Sequence, residues 1–260
     1  MSGDRRGLEI RELTVAYGGL LANDRVTLDV EPGEVVGLIG PNGAGKSTMV
    51  DAVSGFVPYN GSVTLAGRRL DGLAAHRRKQ VGLARTWQSV ELFDDLTVHA
   101  NVAVADETMT VASFLFDIVH PRRARQADRV DRVLVAVGLD DVADSYPSEL
   151  SLGQRKRLGV GRALAGSPVA VLLDEPAAGL DATERQHFAA LLRSLAANGL
   201  AVLLIEHDVD LVLNTCDRVV VVDFGVVIAT GLPSDIRRDP VVAAAYLGTR
   251  SDQSATHALP

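Results

Sequence analysis

The stretch Val35-Val36-Gly37-Leu38-Ile39-Gly40-Pro41-Asn42-Gly43-Ala44-Gly45-Lys46-Ser47-Thr48 decides how this chain is read. Val35 to Ile39 is an apolar run that reads as a buried strand. Gly40 to Thr48 satisfies every fixed position of G-x-x-x-x-G-K-[ST], and Met49 to Val53 reads as the first turns of a helix. Strand, glycine-rich loop and helix, in that order, form a phosphate cradle. Gly43 and Gly45 permit the backbone angles that turn successive N–H groups inward as an anion nest. The helix N-terminus adds its partial positive charge. Lys46 supplies a full charge for the β- and γ-phosphates, and Ser47 offers a hydroxyl to Mg²⁺.

Two more apolar runs lack alternation, so they read as strands covered on both faces of a parallel sheet. Val169 to Leu173 ends in Asp174-Glu175, and Ala201 to Ile205 ends in Glu206-His207. Between them, Asp181 to Ala197 has helical character and stops at Asn198-Gly199. Gly40, Asp174 and His207 are therefore expected just beyond the C-terminal ends of parallel strands, where open α/β sheets bind ligands. Asp174 is expected to orient Mg²⁺. Glu175 is expected to polarise the attacking water, because a carboxylate beside the Mg²⁺ ligand favours water as the nucleophile.

Leu8 to Tyr17, Val26 to Val30 and Val63 to Ala66, the last after the turn signal Pro58-Tyr59-Asn60-Gly61, read as a small antiparallel layer beside the loop. From about Val90 to Ala165 the pattern becomes helical and rich in arginine, the mark of an inserted helical subdomain. Within it, Ala127 to Val137 reads as one amphipathic helix ended near Gly138. Ser151-Leu152-Gly153-Gln154 has two compatible readings. It is a capping box, and it is a helix start whose Gly153 lets a second phosphate group approach. The cluster Arg77-Arg78-Lys79 could touch lipid headgroups or a partner's loop, but such a run is more often a solvated face.

Composition narrows the possibilities. The chain has 260 residues, enough for one large α/β domain with a subdomain inserted. Its formal net charge of −7 argues against nucleic acid as a partner. A single cysteine, Cys216, permits no internal disulfide and suits a reducing compartment. MSGDRRGLEIRE has no apolar core, so no secretory leader is expected, and no apolar run reaches spanning length. Residues 250–260 read as a polar, disordered tail.

The order Gly40–Thr48, Gln88, LSLGQ, VLLDEP, AGLD and His207 resembles the ATP-binding cassette of ABC transporters over about residues 8–249. The resemblance implies an α/β P-loop NTPase (RecA-like) core with a parallel sheet, a small antiparallel β layer and a helical subdomain at about 90–165. It implies ATP and Mg²⁺ as ligands, with Tyr17 on adenine, Gln88 on the metal, and His207 on the γ-phosphate. Ser151, Gly153 and Gln154 would close over ATP held by a second ATP-binding subunit, and Asp181 would serve communication between the two. The implied partners are separate transmembrane permease subunits and a substrate-binding protein. The implied place is cytoplasmic, peripheral at the inner face of the membrane.

GLARTWQSVELFDDLTVHANV, EPAAGLD and DPVVAAAYLG are similar, more narrowly, to the ATP-binding subunits of branched-chain (hydrophobic) amino acid importers. Trp87 stands where phenylalanine is commoner, and Asp181-Ala182 where Asn-Pro is frequent. Urea or amide importers and lipopolysaccharide exporters share much of the pattern. A soluble ABC-type ATPase working on nucleic acid or ribosomes, and a nucleotide switch without hydrolysis, are the readings from other classes.

Overall fold

The computed structural model describes residues 7–87, 91–105 and 123–246. Gln88 and the tail from residue 250 lie outside the described residues.

Among the described residues, ten strands form two sheets. β1 (Leu8–Tyr17), β2 (Leu20–Val30), β4 (Asn60–Leu65) and β5 (Arg68–Arg69) make an antiparallel sheet in the order β2-β1-β4-β5. The members of the second sheet are β3 (Val35–Ile39), β6 (Leu83–Arg85), β7 (Ala170–Asp174), β8 (Ala201–Ile205), β9 (Arg218–Asp223) and β10 (Val226–Gly231). They run in the order β10-β9-β3-β8-β7-β6. All their pairings are parallel except the β9–β10 hairpin.

The lack of alternation in the central strands has a direct physical basis: both faces of this sheet are buried. Ile39, Val171, Leu173, Val202, Leu204, Val219 and Val221 join one core. Their neighbours Val36, Leu38, Leu172, Leu203, Ile205 and Val220 join the other. The second core lies against the antiparallel sheet and helix α1 (Lys46–Ser54), which buries Met49, Val50, Ala52 and Val53. The first is covered by helices, among them α3 (Val98–Ala105), α4 (Arg123–Val137), α5 (Leu152–Leu164), α6 (Ala182–Ala197) and α7 (Val209–Thr215). Helix α4 ends where expected, with Gly138 in the left-handed region at φ 63°.

Three details differ from the reading of the sequence. The strand expected from Val63 starts at Asn60, so the turn residues Asn60 and Gly61 already belong to a strand that pairs with β1. The β2 strand extends back to Leu20, because it follows the long β1 through three register shifts. Arg78 is not on a solvated face. Residue 78 sits in α2 (Ala75–Val81) and is 3% exposed. Its guanidinium donates to the carbonyls of Ala52 at 3.2 Å, Val53 at 2.7 Å and Leu73 at 2.9 Å. It therefore caps the C-terminal end of α1 with a charge of the sign the helix dipole favours. The neighbouring Arg77 and Lys79 are exposed.

Residues 93–97 are held by another buried polar group, Asn101, which is 0% exposed. Its amide nitrogen donates to the carbonyls of Phe93, Leu96 and Thr97, and its oxygen accepts from the Phe93 N–H.

Replacing Arg78 with alanine takes the guanidinium donor from the Val53 and Leu73 carbonyls, while the Ala52 carbonyl keeps the Gly55 N–H. The expected result is a loss of about 3 kcal/mol of stability. It is read as a lower urea midpoint at unchanged slope.

Candidate functional site

Register places the site. Leu38 of β3 pairs with Ile205 of β8, and Ile205 pairs with Asp174 of β7. These three positions are level across three neighbouring strands. The segments leaving the strand ends therefore emerge at one edge: the Gly40–Thr48 loop after β3, Glu206-His207 after β8 and Glu175 after β7. With strands roughly 4.8 Å apart, the loop and Asp174 stand about 10 Å from each other.

The loop is braced from three sides. Asn23 of β2 donates from its amide to the Gly45 carbonyl at 3.1 Å. The Gly225 N–H, in the β9–β10 turn, donates to the Ala44 carbonyl at 3.1 Å. From inside, the Lys46 ammonium donates to the carbonyls of Gly40 at 2.6 Å and Pro41 at 2.9 Å. Gly45 is required by its φ of 94° and because a Cβ there would lie 2.2 Å from the Ala22 carbonyl oxygen. Among the described residues, no side chain caps the first turn of α1. The N–H groups of Lys46, Ser47 and Thr48 thus have no acceptor within the helix. Asn42, Gly43 and Ser47 are open to solvent beside them. This cradle of N–H groups around a buried ammonium fits an anionic phosphate chain. The Ser47 hydroxyl and the Asp174 carboxylate are the hard oxygen donors that suit Mg²⁺.

The charges are strongly coupled. Burial pushes the pKa of Lys46 down, while the carboxylates of Glu175 and Asp174 push it back up. Burial pushes Asp174 up, and the guanidinium of Arg85 opposes this, donating to its Oδ2 at 3.2 Å. Glu206 is 1% exposed and its pKa is raised by burial, although the Ala177 N–H donates to it at 2.9 Å. Lys156 of α5 is lowered by burial and supported by Glu206 and Glu175. Glu175 holds a left-handed backbone angle, φ 47°, as the chain leaves β7. His207 Nδ1 lies 3.8 Å from Oε2 of Glu175 and 3.7 Å from Oε2 of Glu206.

Other expected residues sit further out. Tyr17 ends β1 and is 52% exposed, which leaves its ring face accessible. Ser151 is the N-cap of α5 in a complete capping box with Gln154. The Gly153 N–H is already engaged, donating at 3.2 Å to Oε1 of Glu184. A Cβ at Gly153 would lie 2.8 Å from that oxygen, so the close approach this glycine allows is made here by the chain's own carboxylate. Asp181 is the N-cap of α6, accepting from the Glu184 N–H at 2.8 Å.

Asn23, Arg85 and Glu206 belong to the site without any motif that marks them. Glu206 had one signal, its place beside His207 at a strand end. Arg85 lies inside the GLARTWQ stretch, but nothing there marks the carboxylates it meets, which are 34 and 89 residues away.

The raised pKa of Glu206 has a measurable consequence. The native state keeps this proton at pH values where the unfolded chain has released it. Stability therefore falls as pH rises from the ordinary glutamate value through the raised one. Glu206→Gln keeps an acceptor for Ala177 and removes the buried charge. We expect it to be about 1 kcal/mol more stable at neutral pH. It should also lack that part of the pH slope in denaturation curves taken across the acidic range.

Comparison with known proteins agrees with this geometry. A family model described as ABC transporter matches residues 23–178, and one described as branched-chain amino acid ATP-binding cassette transporter matches residues 226–252. The chain is 38% identical over 248 residues to the high-affinity branched-chain amino acid transport ATP-binding protein BraF of Pseudomonas aeruginosa, covering 93% of this chain and 97% of that protein. It is 37% identical to the corresponding protein LivG of Escherichia coli, with the same coverage. The crystal structure of MJ1267, an ATP-binding cassette of an ABC transporter in its ADP conformation, superposes with a TM-score of 0.81 at 28% identity, over 94% of this chain and 99% of that one. By its fold, its phosphate loop and its likeness along almost the whole length, this chain belongs to the ABC transporter family, as an ATP-hydrolysing ATP-binding subunit.

Proposed function

We propose that this chain energises the import of branched-chain amino acids through separate membrane permease subunits, and that the residues gathered at the strand ends perform its ATP hydrolysis. The observation that carries the substrate class is the likeness to branched-chain importer subunits, which includes the C-terminal 226–252 segment. Among the described residues no helix is long and apolar enough to cross a membrane. The reading takes a permease of another chain as partner, with the cassette peripheral at the inner face of the membrane, in the cytoplasm.

The chain's own groups divide the work. The Lys46 ammonium and the N–H groups opening α1 bind the phosphates and offset charge that develops on the transferring group. Gly40, Pro41, Asn42, Gly43, Ala44, Gly45 and Thr48 shape that cradle, and Tyr17 offers its ring to adenine. Ser47 and Asp174, with Gln88, would hold Mg²⁺, which would supply positive charge to offset that of the phosphates. Glu175 orients water and accepts its proton, and His207 stands beside Glu175 toward the γ-phosphate. Ser151, Gly153 and Gln154 face ATP held by a second ATP-binding subunit, with Asp181 at the start of the adjoining helix. A substrate-binding protein delivers the amino acid, and nucleic acid has no part.

Glu175→Gln is expected to bind ATP normally and to hydrolyse it roughly 10²–10⁴-fold more slowly. Phosphate release at near-normal rate would remove Glu175 from the mechanism. Cells lacking this chain should fail to take up labelled leucine, isoleucine and valine, and wild type should restore uptake where Lys46→Ala does not. Equal uptake with and without the chain sinks the substrate class and turns attention to urea, amides or lipid export.

A further inference from the structure

Arg85, the last residue of β6, belongs to two surfaces at once. Its Nη2 donates to Oδ2 of Asp174 at 3.2 Å, and its Nη1 to Oδ1 of Asp51 on α1 at 2.5 Å. The same guanidinium lies over the Trp87 ring, 4.3 Å from its centroid, and 5.9 Å from the centroid of Phe56. Phe56 and Trp87 meet edge to face at 5.1 Å and 64°. Both rings are about half exposed, and with Arg85 and Phe93 they line a groove of 610 Å³. The side chain of Arg85 is itself only 10% exposed.

A guanidinium suits this double attachment. It stays charged at all relevant pH, its edge can serve carboxylates, and its face can stack on aromatic rings at the same time. A lysine could meet the carboxylates but not stack. Asp174 gives one oxygen to Arg85, and this sets the direction of the other. Asp51 adds a second anchor on the helix that leaves the phosphate loop. A displacement of Arg85 thus alters Asp174 directly, and the half-exposed aromatic pair is open to solvent or a bound chain.

We propose that Arg85 is a positioning residue that joins the Mg²⁺-facing carboxylate of Asp174 to the Phe56–Trp87 pair, so that metal binding changes the surroundings of Trp87 and loss of the stack weakens metal binding. This rests on the reading of Asp174 as a Mg²⁺ carboxylate. No motif singles out Arg85, and its role is separate from those of Gln88 and Glu175.

The chain contains one tryptophan, so its emission reports on Trp87 alone. The test uses the full chain and its Arg85→Met, Arg85→Lys and Trp87→Leu variants. Each is loaded with a non-hydrolysable ATP analogue in EDTA and then, after removal of the chelator, titrated with Mn²⁺. Metal uptake is followed by electron paramagnetic resonance, and tryptophan emission is recorded where Trp87 is present. All four proteins are expected to bind the analogue alike without metal. Arg85→Met should bind Mn²⁺ roughly 10–100-fold more weakly, the range for a group that orients a metal ligand. Trp87→Leu should weaken Mn²⁺ binding roughly two- to fivefold through the lost cation–π contact. Arg85→Lys should recover most of the affinity yet lose the emission change seen in wild type.

Equal Mn²⁺ affinity in wild type and in the variants that retain the analogue overturns the proposal. So does wild-type emission that is unmoved by saturating Mn²⁺. If Arg85→Met does not fold, Trp87→Leu and Arg85→Lys decide by the same criteria. Failure of wild type to bind the analogue at all would instead remove the nucleotide reading, and the proposal with it.

Discussion

The site depends on one alignment: Leu38, Ile205 and Asp174 lie level across β3, β8 and β7. A slip of any of these strands would separate the Gly40–Thr48 loop from Asp174 and Glu175. The alignment is secured by burial. Each strand inserts side chains alternately into two cores, so a shift of one residue would exchange the two sets. Small and branched side chains on these strands thus do more than exclude water. They fix the distance between a cation and two carboxylates that no covalent or sequential link controls.

That arrangement is electrostatically tense. Two buried lysines, Lys46 and Lys156, a desolvated aspartate and a desolvated glutamate share a small volume. Three of these charges are stabilised by specific neighbours: loop carbonyls for Lys46, Arg85 for Asp174, and the Ala177 N–H for Glu206. A polyanion entering the loop would satisfy the ammonium and the helix N–H groups together. Binding energy at this site therefore comes from groups already held in place, with little reorganisation to oppose it.

The parts of this molecule that were legible in the sequence are those specified by contiguous residues. The phosphate loop, the strands ending at Asp174 and Ile205, the capping box at Ser151 and the helix from Asp181 each carry their own local signal. The illegible parts depend on contacts between distant segments. The run Arg77-Arg78-Lys79 looks uniform, yet only Arg78 meets the end of α1 and is buried. Arg85 sits in a three-residue strand whose pattern carries no trace of Asp51 or Asp174. The Asn60-Gly61 pair looks like a turn and is a strand end, because pairing with β1 outweighs local preference.

Glu184 has a consequence of a different kind. Its Oε1 accepts from Gly153 and its Oε2 from Asp181, so one carboxylate serves the starts of two helices. Each helix start concentrates positive potential, and the shared anion screens both. An outside phosphate that reached Gly153 would compete with this resident carboxylate, and its arrival would loosen the neighbouring helix start as well. Glu184 thus ties the two helix starts together, so that a disturbance at one is felt at the other.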